Sequence, residues 1–428
     1  MHTNLEKHRR LGAFITVAAA VQLSACNFDV TNPGPVQDSF LNDSLAFVAI
    51  VNGMGRDLSD GLNYLAFHGA MPARELHPTG GTGQFGISPK NGDGYLDVEE
   101  QGAPWNQTQR ARWTAEDGIR RMTEIWGTKV NSSALAAQAY LWAGYSNRAL
   151  GENMCEAVID GGANQPRTVF LTTAEAHFSK AIEVGTAAGT SATATTIVTA
   201  AKAGRASVRM HLGNWAGAVS DAAGIANTFA YRMPYYNRGD DSEFNRIAWA
   251  SFQQPYKTHT VWGTWYETYF KSTNDARVKW TDSGVKGDGS LTCCGSVPFY
   301  KQAKHALRDS PINLSSGREM RLIEAEDQLV KGNWQAAMTA INSLRTSSGA
   351  ATLTATSLAE AWTFLKRERG IEFWLEARRL GDLNRWKAGS AAGALDPREV
   401  AGSTSHLTVQ DLCFPIPRGE RDTNPNIR

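Results

Sequence analysis

The sequence lacks an excess of charge of either sign. Its 43 lysines and arginines are balanced by 42 aspartates and glutamates, which gives a formal net charge of +1. A protein that binds nucleic acid normally carries an excess or a dense patch of basic residues. The near balance therefore argues against nucleic acid as the main partner.

Cysteine is scarce, and the familiar metal-ligand spacings are missing. Beyond Cys26 the chain has four cysteines, and none has the paired spacing of a zinc site: Cys155, Cys293, Cys294 and Cys413. The histidines show no i, i+4 pair, which excludes a metalloprotease helix. Four cysteines allow three pairings in an exported protein, so any disulfides stay open at this stage. We predict no catalytic metal and no cofactor.

Long hydrophobic runs are also missing. The longest apolar run, residues 11–23, is too short for a bilayer, which takes about 20 residues. Basic residues precede it at positions 7–10, and small residues follow it, as is typical of an export signal. With no other candidate span, we expect the mature chain to be soluble apart from any anchor.

The run ends at a single cysteine. Leu23-Ser24-Ala25-Cys26 resembles the lipobox of bacterial lipoproteins, in which the cysteine is lipidated and becomes the first residue of the mature chain. The resemblance implies a signal peptide at residues 1–25 and lipidation of Cys26. Several acyl chains would hold the protein on a membrane far better than one. The alternative is an ordinary secretory signal with an incidental cysteine.

Helical spacing of apolar residues dominates two stretches, about 132–226 and 318–386. Each contains a Gly-Asn-Trp turn, at residues 213–215 and 332–334. Glycine in a left-handed cap would end one helix, and the next would begin at the tryptophan. The repeat predicts tetratricopeptide-like helical hairpins, although two unrelated hairpins would give the same local pattern.

Two further regions lack helical spacing and are rich in aromatic and turn-forming residues. They are about 60–110 and 229–315. We predict a single, mostly α domain over residues 26–428, in which long irregular insertions interrupt the helical hairpins. Such loops often carry function, so the ligand site is expected there.

Charged residues are dense in residues 357–386, where they alternate with aromatic and aliphatic ones. This mixture predicts a partly buried charge network instead of a solvated helix face. Arg378 and Asp382 are four residues apart, and Glu376 and Arg379 are three apart, so these pairs could close along one helix.

The same segment resembles the C-terminal signature of the SusD/RagB family of outer-membrane nutrient-binding lipoproteins. The matching residues are Glu368-Arg369, Glu372, Glu376, Arg379 and Asp382-Leu383-Asn384-Arg385-Trp386. The chain departs from the signature at Ala377, where the family usually has glycine, and at Gly381. The chain's ending is also similar, with Pro415-Ile416-Pro417 and Asn424-Pro425-Asn426.

The resemblance implies a binding protein with no chemistry of its own. It would be lipid-anchored to the outer membrane, facing the cell exterior, and would pass an oligosaccharide or peptide to a SusC-like TonB-dependent transporter. The signature itself would hold the fold together. Two alternatives stay open: a helical-fold glycan-degrading enzyme with two carboxylates, and a tetratricopeptide-type scaffold lipoprotein of the envelope.

Aromatic residues in the insertions are the candidate ligand contacts, because sugars stack on flat rings and bond to planar polar groups beside them. The candidates are Trp262, Trp265, Tyr266, Tyr235, Tyr236, Asn237, Arg74 and Trp105, with Arg238 and Asp240 nearby. For any single aromatic residue, a place in the core is the more common alternative.

Residues 89–100 partly match a calcium-binding EF-hand loop. Asn91, Asp93, Asp97 and Glu100 stand at ligand positions, but Pro89 occupies the place of the first ligand. The sequence favours an acidic turn and leaves calcium as the weaker alternative.

Overall fold

The computed structural model describes residues 38–80, 87–238, 243–253, 257–290 and 296–427. Cys26, Asp240, Cys293 and Cys294 lie outside these ranges, so the predictions made for them stay predictions. The chain divides into two compact units, Met1–Asp43 and Ser44–Arg428. In the first unit, the described residues form a short 3-10 helix at Asp38–Asn42.

Helices make up most of the second unit, which confirms the predicted mostly α fold class. The described α-helices are α1 (Phe47–Gly69), α2 (Pro89–Gly92), α3 (Gly102–Trp126), α4 (Ala134–Asn153), α5 (Thr168–Ala187), α6 (Ala192–His211), α7 (Trp215–Ala222), α8 (Arg246–Ser251), α9 (Trp265–Thr273), α10 (Gly317–Val330), α11 (Trp334–Ser347), α12 (Leu358–Glu372), α13 (Arg379–Ala388) and α14 (Arg418–Thr423). Among those described, no helix combines the length and the hydropathy needed to cross a bilayer.

In the part of the chain that the structure describes, the strands form four two-stranded antiparallel ladders. They pair β1 (His77–Pro78) with β5 (His259–Thr260), β2 (Glu156–Ala157) with β3 (Gln165–Pro166), β4 (Ala230–Met233) with β8 (Ile312–Ser316), and β6 (Trp280–Lys286) with β7 (Pro298–Gln302). The ladders lie in the connections between helices, so the helices provide the frame.

The two predicted helical hairpins are present, and each turns at its glycine. Gly213 and Gly332 have φ values of +77° and +81°, a conformation that costs glycine little. Asn214 caps the second helix of the first hairpin by accepting a hydrogen bond from the Gly217 N–H at 3.0 Å.

The hairpins are neighbours in space although about a hundred residues separate them in sequence. Helices α6, α7 and α10 share one apolar cluster, lined mainly by alanines and by Met210, Ile225, Met320 and Ile323. The β4–β8 ladder pairs Ala230 with Ser316 and so joins the two ends of the insertion at its base. The repeat is therefore interrupted in sequence but continuous in the packing.

Both insertions are more regular than predicted. Helix α1 runs as far as Gly69 and α3 begins at Gly102, so the first non-helical connection is mostly confined to residues 70–101. Leu58, Leu62 and Leu65 are buried on one face of α1, at the spacing of a helix. The second insertion contains α8, α9 and the β6–β7 hairpin.

The C-terminal charge network is buried, as predicted, but its pairing along one helix was wrong. Helix α12 ends at Glu372 and α13 begins at Arg379, and Leu375 and Ala377 between them have positive φ values. Arg369, Arg378 and Arg379 therefore reach carboxylates on other elements. The pairs include Arg369–Asp382 at 2.8 Å, Arg378–Glu152 at 2.8 Å and Arg379–Glu399 at 2.5 Å.

A disulfide joins Cys155 to Cys413, across 258 residues of sequence. The backbone next to it is paired as well, because the Cys155 N–H donates to the Phe414 carbonyl at 2.9 Å. The end of the chain is thereby attached to the loop that follows α4. Spacing alone left this pairing open.

Candidate functional site

A cleft of about 400 Å³ lies between helices α1 and α4 and the start of the second insertion. We name it the Trp142–Tyr236 cleft. The described residues that line it are Asn52, Gly55, Arg56, Ser59, Trp142, Met233, Pro234, Tyr236, Arg238 and Glu243. It joins two aromatic rings with several planar polar groups.

Helix α1 supplies one wall. Asn52, Gly55, Arg56 and Ser59 follow each other at i, i+3, i+4 and i+7, which places them on one helix face. The Ser59 hydroxyl donates to the Arg56 carbonyl at 2.7 Å, which satisfies the hydroxyl within the helix. The amide of Asn52 and the guanidinium of Arg56 provide the polar groups of this wall.

The partly buried indole of Trp142, on α4, forms the base of the cleft against a glycine. A Cβ atom at position 55 would lie 3.2 Å from the Trp142 Cε2 atom, closer than most real contacts of a Cβ. Gly55 therefore lets the indole lie against the backbone of α1. Tyr231 supports the indole from another side, with ring centroids 5.9 Å apart.

The third wall, formed by residues 234–238 and 243–246, is fixed to α1 at two points. The Tyr235 hydroxyl donates to the Ser59 carbonyl at 2.9 Å. Burial raises the pKa of Tyr235 well above its usual value, so this hydroxyl keeps its proton. Farther along, the Asn63 side chain donates to the Phe244 carbonyl at 2.6 Å and accepts from the Arg246 N–H at 2.9 Å.

Tyr236 lies at the mouth of the cleft. Its side chain is 45% exposed, and the Arg238 guanidinium carbon lies 4.6 Å from its ring centroid. The Tyr236 N–H donates to the Glu243 carbonyl at 2.8 Å, which fixes the backbone at this position. Arg238 and Glu243 form a loose ion pair at 3.8 Å. The ring and both charged groups are thus within reach of a ligand.

This arrangement suits the binding of an uncharged polar ligand. Small-molecule sites typically measure roughly 300–1,000 Å³ and combine apolar or aromatic surface with a few placed polar groups. A glycosidase needs two carboxyl groups that flank the bond to be cleaved. Of the described lining residues, Glu243 alone carries a carboxylate.

Most of the other candidate contacts are buried. The side chains of Arg74, Trp105, Tyr235, Trp265 and Tyr266 are almost fully inaccessible. Trp265 stacks on Tyr266, with ring centroids 4.0 Å apart, inside the core. A ligand could reach these five side chains only if the protein rearranged. Tyr236 and Asn237 are exposed. Of the candidates named from the sequence, Tyr236 and the nearby Arg238 line the cleft.

Trp262 is partly buried but lies outside the cleft. Its indole stacks on the exposed His406 ring at 5.9 Å and meets His77 edge-on at 5.1 Å. Trp265, by contrast, is buried against Tyr266. A paired role of Trp262 and Trp265 in stacking on one sugar therefore has no geometric support.

Two side chains of the calcium candidate loop bond to neighbours within the loop. Asp97 forms an ion pair with Lys90, and Glu100 accepts a hydrogen bond from the Ser88 hydroxyl. Asn91 is buried. Within the described ranges, no three His, Cys, Asp or Glu side chains converge as metal ligands would.

The sequence interpretation missed Trp142 and the α1 face with Asn52, Gly55 and Arg56. Trp142 lies in an alanine-rich helix that was assigned to the frame, and nothing in its local spacing separates it from a core residue. Gly55 did carry a signal, because an isolated glycine inside a helical pattern often marks a close approach of another group.

Comparisons with known proteins find a family match over the C-terminal part of the chain and a similar fold over most of it. Residues 260–428 match the model of the SusD family. Among solved structures, a SusD superfamily protein from Parabacteroides distasonis superposes with a TM-score of 0.65 at 11% identity, covering 90% of this chain and 98% of that one. A SusD superfamily protein from Bacteroides vulgatus gives 0.58 at 14%, covering 91% and 98%.

A third solved structure is described as a SusD-like carbohydrate binding protein from Bacteroides vulgatus. It superposes with a TM-score of 0.59 at 13% identity and covers 88% of this chain and 97% of that one. At such identities the likeness concerns the fold alone. A comparison with curated protein sequences gives no significant match.

Proposed function

We propose that the chain, whose residues 260–428 match the model of the SusD family, is a SusD/RagB-type cell-surface lipoprotein that binds a nutrient oligosaccharide in the Trp142–Tyr236 cleft. One observation carries this proposal. The cleft places an exposed tyrosine and a partly buried tryptophan beside an amide and two guanidinium groups. Flat rings accept the apolar faces of sugars, and planar polar groups bond to sugar hydroxyls.

The proposal includes a partner and a location. The lipobox at Cys26 would anchor the chain to the outer membrane, with the binding domain facing the exterior. A SusC-like TonB-dependent transporter would take up the bound oligosaccharide or peptide. These statements rest on the resemblance to the family and on the sequence around Cys26.

Ligand binding can be tested by calorimetric titration of the mature protein with a panel of neutral oligosaccharides. We expect at least one to bind with a dissociation constant of about 1 μM or weaker, which corresponds to about −8 kcal/mol. Tyr236→Ala should weaken binding about tenfold, through loss of a stacking face.

Tyr95→Ala is the matched control, because Tyr95 is 42% exposed and does not line the cleft. Its affinity for the same sugar should equal that of the wild type. Equal binding by the wild type and Tyr236→Ala would place the sugar elsewhere. The absence of binding to any sugar in the panel would remove support for an oligosaccharide ligand.

Anchoring can be tested with Cys26→Ser in the producing cell. The variant should leave the membrane fraction and still fold, because the anchor would lie outside the binding domain. Retention of the variant in carbonate-washed membranes would contradict lipidation at this residue. Circular dichroism of the released protein checks that its fold is intact.

The partner and the lack of catalysis need separate measurements. Purification from mild detergent should recover a TonB-dependent barrel together with the wild-type protein. Incubation of each bound oligosaccharide with the protein should release no shorter products. Turnover of a sugar would favour the enzyme alternative, and recovery of envelope assembly proteins without saturable sugar binding would favour the scaffold.

A further inference from the structure

A second cleft, of about 350 Å³, lies on helix α3. We name it the Trp113 cleft. Its described lining residues are Trp105, Asn106, Gln109, Arg110, Arg112, Trp113, Val158, Asp160, Gly161 and Glu420. It shares no lining residue with the Trp142–Tyr236 cleft.

One wall is a stripe of α3. Asn106, Gln109 and Trp113 follow at i, i+3 and i+7, so they share a face of the helix. Trp113 is 52% exposed, an unusual state for the largest apolar side chain. Trp105 is buried against the same cleft. A flat ring and two amides thus border one opening.

The opposite wall is a tight turn in the loop after α4. Asp160 and Gly161 have φ values of +50° and +73°, in the left-handed region. Asp160 adopts this conformation at an energetic cost. Buried Arg112 holds the turn by donating to the Asp160 carboxylate at 2.5 Å and to Glu116 at 2.7 Å. More than half of the Asp160 side chain stays exposed.

The C-terminal segment fixes this turn by hydrogen bonds to its backbone. The side chain of Asn426 donates to the Gly161 carbonyl at 2.8 Å, and that of Asn424 donates to the Gly162 carbonyl at 3.0 Å. The Cys155–Cys413 disulfide connects the same two segments. Three separate links therefore fix a wall of the cleft that would otherwise consist of two loops.

Both arginines that line the Trp113 cleft are already paired. Arg110 pairs with Asp57 at 3.3 Å and Asp60 at 3.1 Å, and Arg112 is paired as described. Asp160 and Glu420 place acceptors at the rim. An anionic ligand would have to disrupt these pairs, whereas an uncharged, hydroxyl-rich ligand could add hydrogen bonds to the amides and carboxylates without breaking them.

We propose that the Trp113 cleft is a second contact site for a neutral sugar chain, with its outer wall held in place by the Cys155–Cys413 disulfide and the C-terminal asparagines. The chemical class of the ligand rests on the proposed function. The location rests on the geometry of α3 and the Asp160 turn. Stacking on Trp113 would supply the apolar contact, and Asn106, Gln109 and Asp160 would bond to hydroxyl groups.

The test uses the mature protein labelled with 5-fluorotryptophan, with the resonances of Trp113 and Trp142 assigned from Trp113→Phe and Trp142→Phe. The probes are neutral hexasaccharides of glucose, xylose, mannose and fructose, and a neutral hydrophobic tripeptide. We expect one of the sugars to shift the Trp113 resonance. The shift should persist in Tyr236→Ala, because that residue borders the other cleft.

Five outcomes separate the two proposals. Shifts at both tryptophans support both. A shift at Trp142 alone overturns the second site and leaves the proposed function in place. A shift at Trp113 alone overturns sugar binding in the Trp142–Tyr236 cleft and supports the second site. No shift with any sugar overturns both. A Trp113 shift with the tripeptide alone overturns the assignment of a sugar.

The role of the wall has its own test. Asn426→Ala removes the link to Gly161 without touching the cleft surface, and the Cys155→Ser, Cys413→Ser double variant removes the disulfide. Either should weaken the sugar-induced Trp113 response about threefold and leave the Trp142 response unchanged. Ile125→Ala, on the same helix outside the cleft, is the control. Unchanged Trp113 affinity in both wall variants would overturn this part of the proposal.

Discussion

Arginines and carboxylates occur both in the C-terminal ion-pair region, residues 366–399, and in the Trp142–Tyr236 cleft, but in different states. In the ion-pair region Arg369 and Asp382 are almost fully buried and bonded at 2.8 Å. In the cleft, the Arg238 side chain is 67% exposed and 3.8 Å from Glu243. Buried charges must be paired, whereas exposed ones can exchange water for a ligand. The first region holds the fold, and the second is free to bind.

Asp382 shows how strong the buried pairing is. Burial alone would raise the pKa of its carboxyl group. The guanidinium groups of Arg369 and Arg385 outweigh burial and hold the pKa well below the usual range. Asp382 is therefore charged at neutral and mildly acidic pH, and its arginines depend on that charge.

The largest expected effect is that of Asp382→Ala. It leaves Arg369 buried without its main partner, which should lower the free energy of unfolding by about 3–5 kcal/mol. Denaturant titration measures the loss. Arg238→Ala in the cleft is the contrasting variant and should change stability by less than about 1 kcal/mol. Equal losses in both variants would erase the distinction between the two regions.

Glu75 contacts the ion-pair region through Leu375 but forms no ion pair in the described contacts. Burial raises its pKa to about 7, while the hydrogen bond from the Leu375 N–H, at 2.7 Å, and the charge of Arg379 lower it only partly. The folded state therefore holds this proton more tightly than the unfolded state does. The contribution of protonated Glu75 to the free energy of unfolding is complete below about pH 4.5 and disappears as the pH rises through about 7.

Glu75→Gln should remove this dependence, since the amide oxygen can still accept from Leu375. Relative to the variant, the wild type should lose about 3 kcal/mol of stability between pH 4 and pH 8. Unfolding measured at several pH values gives the difference directly. Parallel pH profiles for the two proteins would mean that Glu75 titrates normally in the folded state.

The third effect concerns Gly381, which departs from the family signature. A Cβ atom there would lie 2.9 Å from the backbone oxygen of Glu152, and backbone cannot move aside as a side chain can. Gly381→Ala should therefore destabilise the protein by about 1–3 kcal/mol. Thermal unfolding checks this. A melting temperature equal to that of the wild type would show that α13 can shift away from α4 at no cost.

The smallest effect on stability is expected for the same substitution in the cleft, Gly55→Ala. Here the new methyl group meets the ring of Trp142, which can move by a few tenths of an ångström. Alanine favours the helix by about 1 kcal/mol over glycine, which offsets the crowding. Stability should stay within about 1 kcal/mol of the wild type, while sugar affinity falls about threefold. Titration calorimetry with the bound sugar measures the affinity.

Local patterns allowed much of the frame to be predicted. The Gly-Asn-Trp repeats predicted both hairpin turns, and Gly213 and Gly332 have the expected positive φ values. The mixed charges of residues 357–386 predicted burial. Their partners could not be predicted, because Glu152 and Glu319 are far away in sequence and meet Arg378 only in the folded chain.

The candidate site was predicted only in part, for the same reason. Tyr236 and Arg238 were identified from their aromatic and polar context. Trp142 and Gly55 were not, because their meeting is a contact between two helices. Trp265 and Tyr266 lie in similar aromatic sequence, yet they are in the core. Composition does not distinguish a ring that lines a cleft from a ring that fills the interior.

Sequence patterns alone indicate the helical class, the hairpin turns, the C-terminal signature and the balanced charge, because each depends on residues a few positions apart or on composition. Three features arise from tertiary packing: the carboxylate that each arginine contacts, the aromatic rings that stay exposed, and the pairing of Cys155 with Cys413. The physical reason is range. Helix spacing and turn conformation act over about one to two turns, whereas clefts and buried ion pairs arise where distant segments pack together.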